Sequence, residues 1–173
     1  HAPYSFDSNG KLFKGENPNF KEIPNGMPGL NWRLPILFDE IVNKRRKNLS
    51  INDFVRLTST SPAKIYGLYP QKGDIEIGCD ADLVIWDPEA ITELSDDMVV
   101  DGSGYNPYSG RIIKGWPETV ILRGYVIVFN NKVIADPGNG NFLPTKLSAN
   151  VKPKGIIAHD LLKENNYGAN LQS

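Results

Sequence analysis

The sequence predicts an α/β chain, with a loop and helices first and a small β lobe after them. Three observations carry this. Apolar residues recur at helical spacing between Asn31 and Lys47. Between Ser50 and Gly67 stand the capping and stop residues of helix ends. After Pro70 the apolar period shortens to two, with Gly and Pro punctuation and an Asn130-Asn131 turn between two apolar runs. The 173 residues suit one ordinary domain or two small lobes. With glycine counted and tyrosine left out, the apolar share falls within the roughly 45–50% of globular domains, which excludes intrinsic disorder. Sixteen glycines and thirteen prolines exceed the usual joint share of about 12%, so the chain turns often.

Residues 1–30 are dense in Gly and Pro and lack a steady apolar period, so they read as one long loop. Tyr4, Phe6, Phe13 and Phe20 make it a binding loop rather than a disordered tail. Leu34, Leu37, Phe38, Ile41 and Val42 then mark a helix, with Pro35 in its first turn and Lys44, Arg45, Arg46 and Lys47 complementing the negative end of its dipole. That basic run is a solvated helix end. Ser50 with Asp53 forms a capping arrangement, and Phe54, Val55 and Leu57 follow in a short helix. Ser61-Pro62 restarts a helix, which stops at Gly67. Strands are expected at Gly73–Ile77, at Leu83–Trp86 ending in Asp87-Pro88, at Thr119–Leu122, and at Tyr125–Phe129 and Lys132–Ala135. Together they predict a small β-sandwich or part of one. From Ser148 on, a polar tail carries one amphipathic patch, Ile156, Ile157, Leu161 and Leu162.

Composition excludes several functions. Lys plus Arg (19) balances Asp plus Glu (20), leaving no surplus charge for nucleic acid. No apolar run approaches the roughly 18 residues of a membrane span, and no signal peptide is visible. One cysteine, Cys79, precludes an internal disulfide and fits a reducing, cytoplasmic setting. The two histidines, His1 and His159, stand at opposite ends. A self-contained catalytic zinc site usually needs three protein ligands, so an autonomous His-based metalloenzyme is not expected. The chain opens at His1 without an initiator Met and is read as a fragment or processed piece.

Few motifs carry chemistry. Asp80 and Asp82 share one side of a strand start, a cation-like spacing, but no further acidic cluster joins them and an Asx-type turn explains them as well. Asp80 beside Cys79 disfavours its thiolate. Thr58, Ser59, Thr60 and Ser61 lack a neighbouring base and read as helix caps. Asn48-Leu49-Ser50 is a chance glycosylation triplet. Ile23-Pro24-Asn25-Gly26-Met27-Pro28-Gly29 differs, because Pro fixes φ while Asn-Gly and Pro-Gly favour turns. Such a loop displays its amides and carbonyls. It is either an ordinary double turn or a surface pairing main-chain N–H and C=O with a planar amide or imide.

One ordered series of motifs goes further. It comprises His1-Ala-Pro-Tyr, Ile23-Pro-Asn-Gly-x-Pro-Gly, Thr58-Ser-Thr-x-x-Ala63-Lys64-Ile-x-Gly-Leu-Tyr-Pro70, Lys72-Gly73 and Ile77-Gly-x-Asp-Ala-Asp-Leu-Val-Ile-Trp-Asp-Pro88. Tyr105-Asn-Pro-Tyr-x-Gly110 and Val120-x-x-Arg-Gly124 complete it. The series resembles the C-terminal part of the cyclic amidohydrolases, in the dihydropyrimidinase and D-hydantoinase branch. The stretch ending at Pro88 marks the superfamily, whereas the Ile-Pro-Asn-Gly loop and the Lys64–Pro70 segment mark the branch.

The resemblance implies the C-terminal part of a metal-dependent (α/β)8 TIM barrel plus a small β-sandwich lobe. Residues 1–70 would supply the substrate loop and last barrel helices, 71–147 the sandwich lobe, and 148–173 a tail packing on a neighbouring subunit. The implied enzyme opens the cyclic amide of dihydropyrimidines or 5-substituted hydantoins to N-carbamoyl amino acids, as in pyrimidine catabolism. Its implied cofactor is a pair of Zn²⁺ ions bridged by a carboxylated lysine, held by ligands outside this chain. Within the chain, Asn25 matches the residue whose backbone contacts the ring amide of a cyclic ureide. His1 adjoins the expected metal-ligand aspartate and is at most an outer neighbour of the metals. The implied partners are the N-terminal remainder of the enzyme and like subunits in a dimer or tetramer. Alone, the piece is expected to be inactive. The alternatives are a non-catalytic scaffold of the same fold and an allantoinase-type ureide hydrolase.

Overall fold

The computed structural model describes residues 1–147, so the expected tail with its Ile156–Leu162 patch, and His159, lie outside the described residues. No helix or strand forms before Leu30, in keeping with the Gly- and Pro-rich composition. Helix α1 (Leu30–Phe38) is prolonged by a π-helical turn, Asp39–Asn43. It begins earlier than expected, so Pro35 stands in its interior rather than its first turn, at the cost of one ladder hydrogen bond. The basic run also serves differently. Lys44 reaches Asp39 at 2.6 Å and Glu40 at 3.0 Å, and Arg46 and Arg111 also meet Glu40. Carboxylates one turn back therefore take these cations, while Arg45, Lys47 and Asn48 turn the chain with positive φ. Burial alone would raise the Glu40 carboxyl, but Lys44, Arg46 and Arg111 outweigh it and hold it below the usual range. Asn43 donates to the Lys114 carbonyl at 2.5 Å and Asp39 accepts the Lys114 N–H at 3.2 Å, which pins the helix end to the sheet.

Helix α2 (Ile51–Val55) opens on the expected capping box, with the Asp53 N–H donating to Ser50 Oγ at 3.3 Å and the Ser50 N–H to Asp53 Oδ2 at 3.0 Å. The Ser50 N–H, with help from Arg56 and the Ser50 hydroxyl, draws the Asp53 carboxyl down to about 2. The helix then runs without a break through a π-helical turn, Arg56–Thr60, into α3 (Ser61–Ile65). The restart expected at Ser61-Pro62 does not occur, because Ser61 is itself helical (φ −66°, ψ −44°) and the π turn absorbs the missing proline N–H. Inside a helix, the Thr58 and Thr60 hydroxyls have no ends to cap. Thr58 bonds back to the Phe54 carbonyl at 2.7 Å and Thr60 to the Gly73 carbonyl at 2.8 Å. Gly67 is the stop expected: φ is 70°, its N–H donates to the Lys64 carbonyl, and the Leu68 N–H donates to that of Ala63 at 2.8 Å.

The sheet is a four-stranded antiparallel meander, β1 (Leu83–Glu93), β2 (Ile112–Leu122), β3 (Tyr125–Phe129) and β4 (Lys132–Val133). Among the described residues it is a single layer, with no second sheet facing it as a complete sandwich would have. The Asn130-Asn131 hairpin forms with both residues at positive φ (48° and 61°), and Arg123-Gly124 makes a second tight turn between β2 and β3. Gly73–Ile77 is loop rather than strand: Gly73 has φ 89°, and Ile75 and Ile77 are 81% and 107% exposed, with no strand beside them among the described residues. β1 runs on past Asp87-Pro88 through a bulge, and Val84 and Ile85 are exposed rather than buried. β2 is longer than Thr119–Leu122 because Gly115 and Pro117, ordinarily strand breakers, sit beside that irregular stretch of β1.

Helices and sheet share their packing. Phe38 stacks on Trp86 (centroids 4.4 Å apart, planes 7° apart), and Phe54 meets both edge-on. Gly115 permits this approach, since a Cβ there would lie 2.3 Å from the Phe38 ring. Trp32, Leu94 and Ile113 form a second buried cluster beneath the long loop joining β1 to β2.

Candidate functional site

The first 29 residues fold back on themselves and onto the loop that joins β1 to β2. Ser5 Oγ donates to the Asp7 carboxylate, the Gly10 N–H to the Asp7 carbonyl at 3.1 Å and the Lys11 N–H to that of Ser5 at 2.8 Å. Gly10 is required in this turn, because a Cβ would lie 2.1 Å from the Ser5 carbonyl oxygen. The turn places the Lys11 side chain, only 8% exposed, against the Ile23–Gly29 loop. Its ammonium donates to the Pro24 carbonyl at 2.5 Å and to the Gly26 carbonyl, and it lies 5.4 Å from the centre of the Tyr4 ring.

The N-terminal strand of loop completes the arrangement. The Ala2 N–H donates to the Met27 carbonyl at 3.3 Å. Gly26, at φ 99°, presses so closely on Ala2 that a Cβ would stand 2.4 Å from the Ala2 Cβ. Pro28 is fully buried beneath. The carbonyls of Pro24, Gly26 and Met27 are thus all engaged. Asn25, exposed between them, makes no main-chain hydrogen bond among the described residues.

His1 lies beside this loop, its Nε2 3.6 Å from Asp101 Oδ2. The other Asp101 oxygen accepts the Ser103 N–H at 3.0 Å. Phe6 meets Tyr105 edge-on, with centroids 5.5 Å apart. Burial, with the Asp101 charge second, pushes the Tyr105 phenol up. Asn106, buried, holds the 95–110 loop by accepting the Tyr108 N–H and donating to the Ser95 carbonyl. Both residues singled out from sequence, His1 and Asn25, therefore share one neighbourhood. Lys11, Asp101 and Tyr105 were not legible as parts of it. Tyr105 stood in a quoted motif, but nothing in the sequence places Lys11 against a loop thirteen residues on.

Asp80 and Asp82 belong to another cluster. They do share a cation, but it is the ammonium of Lys72, 2.8 Å from Asp80 and in contact with Asp82. Burial would lower that ammonium, yet its hydrogen bonds to the two carboxylates prevail and raise it. Asp82 also accepts the Arg123 N–H at 2.8 Å, so the pair staples the start of β1 to the β2–β3 turn. Among the described residues, no three His, Cys, Asp or Glu side chains meet as a metal site would require. The described residues do not fit a binuclear centre.

The amidohydrolase family profile matches residues 5–127, more than half of the chain. The chain belongs to the amidohydrolase family. Its relatives fall in the D-hydantoinase and dihydropyrimidinase branch. Over 136 residues it is 43% identical to a D-hydantoinase of Ralstonia pickettii, covering 76% of this chain and 29% of that one. It is 34% identical to dihydropyrimidinase-related protein 5 of Mus musculus, covering 82% of this chain and 25% of that one. The solved dihydropyrimidinase of Brevibacillus agri NCHU1002 superposes with a TM-score of 0.76 at 35% identity, covering 88% of this amidohydrolase chain and 32% of its own. The chain spans about 30% of the length of the curated relatives it matches. No helix among the described residues is long and apolar enough to cross a membrane.

Proposed function

We propose that this chain is the C-terminal part of a hydrolase that opens the ring amide of dihydropyrimidines or 5-substituted hydantoins to N-carbamoyl amino acids. The observation that carries the reading is the main chain of Asn25. Its N–H and C=O lack partners among the described residues, whereas the carbonyls of Pro24, Gly26 and Met27 are all bound. A cyclic ureide presents an N–H beside a C=O in one plane. That is the complement of one peptide residue's donor and acceptor, and the exposed Asn25 main chain leaves both open to pair with it.

In this reading water adds to the ring carbonyl, the ring C–N bond breaks, and the departing nitrogen takes up a proton. The chain's own residues bind and orient the ring; none of them is assigned to that proton. Two zinc ions with a carboxylated lysine, held by the N-terminal remainder, would supply the activated water. The exposed edge of β1 and the open groove of about 830 Å³ beside it, lined by Leu34, Phe54, Val84 and Trp86, support the presence of further polypeptide. The same reading keeps the division of residues 1–147 into a barrel segment and a sandwich lobe, in a cytoplasmic oligomer.

The test is complementation. Purified chain with Zn²⁺ is expected to leave dihydrouracil and hydantoin intact, and addition of the N-terminal polypeptide to start hydrolysis. Hydrolysis by the isolated chain contradicts the assignment. The second reading is a non-catalytic scaffold of the same fold; dihydropyrimidinase-related protein 5 is among the relatives. The residue preceding His1 in the parent protein separates the two: aspartate supports the enzyme and any other residue the scaffold.

A further inference from the structure

We infer that Lys11 is a positioning residue that sets the direction in which Asn25 presents its main chain to the substrate; this rests on the ureide reading above. Lys11 is buried, yet none of the ion pairs among the described residues includes it. A buried ammonium is costly unless its donors are used. Lys11 uses them on the carbonyls of Pro24 and Gly26, the two that flank Asn25.

The consequence follows from peptide geometry. In a planar trans peptide the C=O and the following N–H point in opposite directions. Drawing the Pro24 carbonyl toward Lys11 therefore turns the Asn25 N–H away from it. Drawing the Gly26 carbonyl to the same ammonium fixes the far side of the Asn25–Gly26 unit. Gly26, at φ 99°, lets the chain make this turn. Two bonds from one cation thus hold the backbone on both sides of the residue that would read the ring. The Ser5–Gly10 turn and the Tyr4 ring in turn hold the cation in place.

The experiment uses the full-length parent enzyme with dihydrouracil and hydantoin as probes, comparing wild type with Lys11→Met and Lys11→Arg. The expected result is a KM raised tenfold or more in Lys11→Met, with zinc content and thermal midpoint kept. A misplacement of about 1 Å can cost on the order of 100-fold in rate. Lys11→Arg, which keeps a multidentate cation, is expected to recover most of the loss. Should Lys11→Met fail to fold, Lys11→Gln serves in its place, with a smaller rise in KM expected. A folded variant with wild-type KM and kcat overturns the inference, as does a loss of activity that only follows loss of zinc or of fold. A wild-type enzyme inactive on both ureides overturns the underlying reading, and this inference with it.

Discussion

At Gly26 a single added methyl group would meet both a strained backbone and the Ala2 side chain, since φ is 99° and the new Cβ would lie 2.4 Å from the Ala2 Cβ. At Asn25, by contrast, the contact proposed above uses main-chain atoms. The two positions should therefore respond in opposite ways. In the full-length enzyme, Asn25→Ala is expected to change kcat/KM for dihydrouracil by less than about tenfold, and Gly26→Val to lower it by on the order of 100-fold. Steady-state kinetics on the two variants check this, and equal losses would show that the Asn25 side chain carries the contact. The Pro-Asn-Gly-x-Pro-Gly pattern was readable as shaped backbone, because Pro fixes φ and Asn and Gly admit the positive φ that tight turns need. The Lys11 contact was not, because it depends on a turn at Ser5–Gly10 whose closure is tertiary.

Among the elements, the Ser50 helix start and the Gly67 stop were legible, whereas the continuity through Ser61-Pro62 and the full length of β2 were not. The Ser50/Asp53 box and the Gly67 stop are local chemistry, written within four residues, and both stand where expected. Ser50→Ala should cost about 1 kcal/mol of stability, measurable by thermal unfolding. The Asp53 carboxyl sits at about 2 against an ordinary 3.8, so its contribution is present above pH ~4 and lost as pH falls through about 2. Being exposed, it is also screened by salt. The difference in thermal midpoint between wild type and Asp53→Asn is thus expected to be constant above pH ~4, to fall to a small fraction near pH 2 and to shrink in 1 M salt. An unchanged difference at pH 2 would contradict the cap. β2 was missed over Ile112–Glu118 because Gly115 and Pro117 read as breakers, whereas here Gly115 makes room for the Phe38 ring and Pro117 faces Trp86. Gly115→Ala should therefore destabilise by at least about 2 kcal/mol, and a chain that melts as wild type would refute the close approach. Ile75 and Ile77 misled in the other direction, their alternation leading to no ladder among the described residues.

At the scale of the molecule, helices and sheet pack through Phe38, Phe54 and Trp86, while among the described residues β1 keeps an unpaired edge and exposes Val84 and Ile85. An exposed apolar edge of this kind favours association. The order of helices and strands was visible in the change of apolar period at Pro70. The single sheet layer was not, because strand patterns say which face is apolar but not what covers it. In the function we propose, the chain shapes a main-chain surface for a planar ring whose chemistry is completed elsewhere. The most direct measurement is a crystal structure of the full-length enzyme with bound hydantoin. The ring N–H and C=O are expected within about 2.7–3.2 Å of the Asn25 main-chain oxygen and nitrogen, with Lys11 still on the Pro24 and Gly26 carbonyls. A ring seated away from the Ile23–Gly29 loop, or held there by side chains alone, would contradict it.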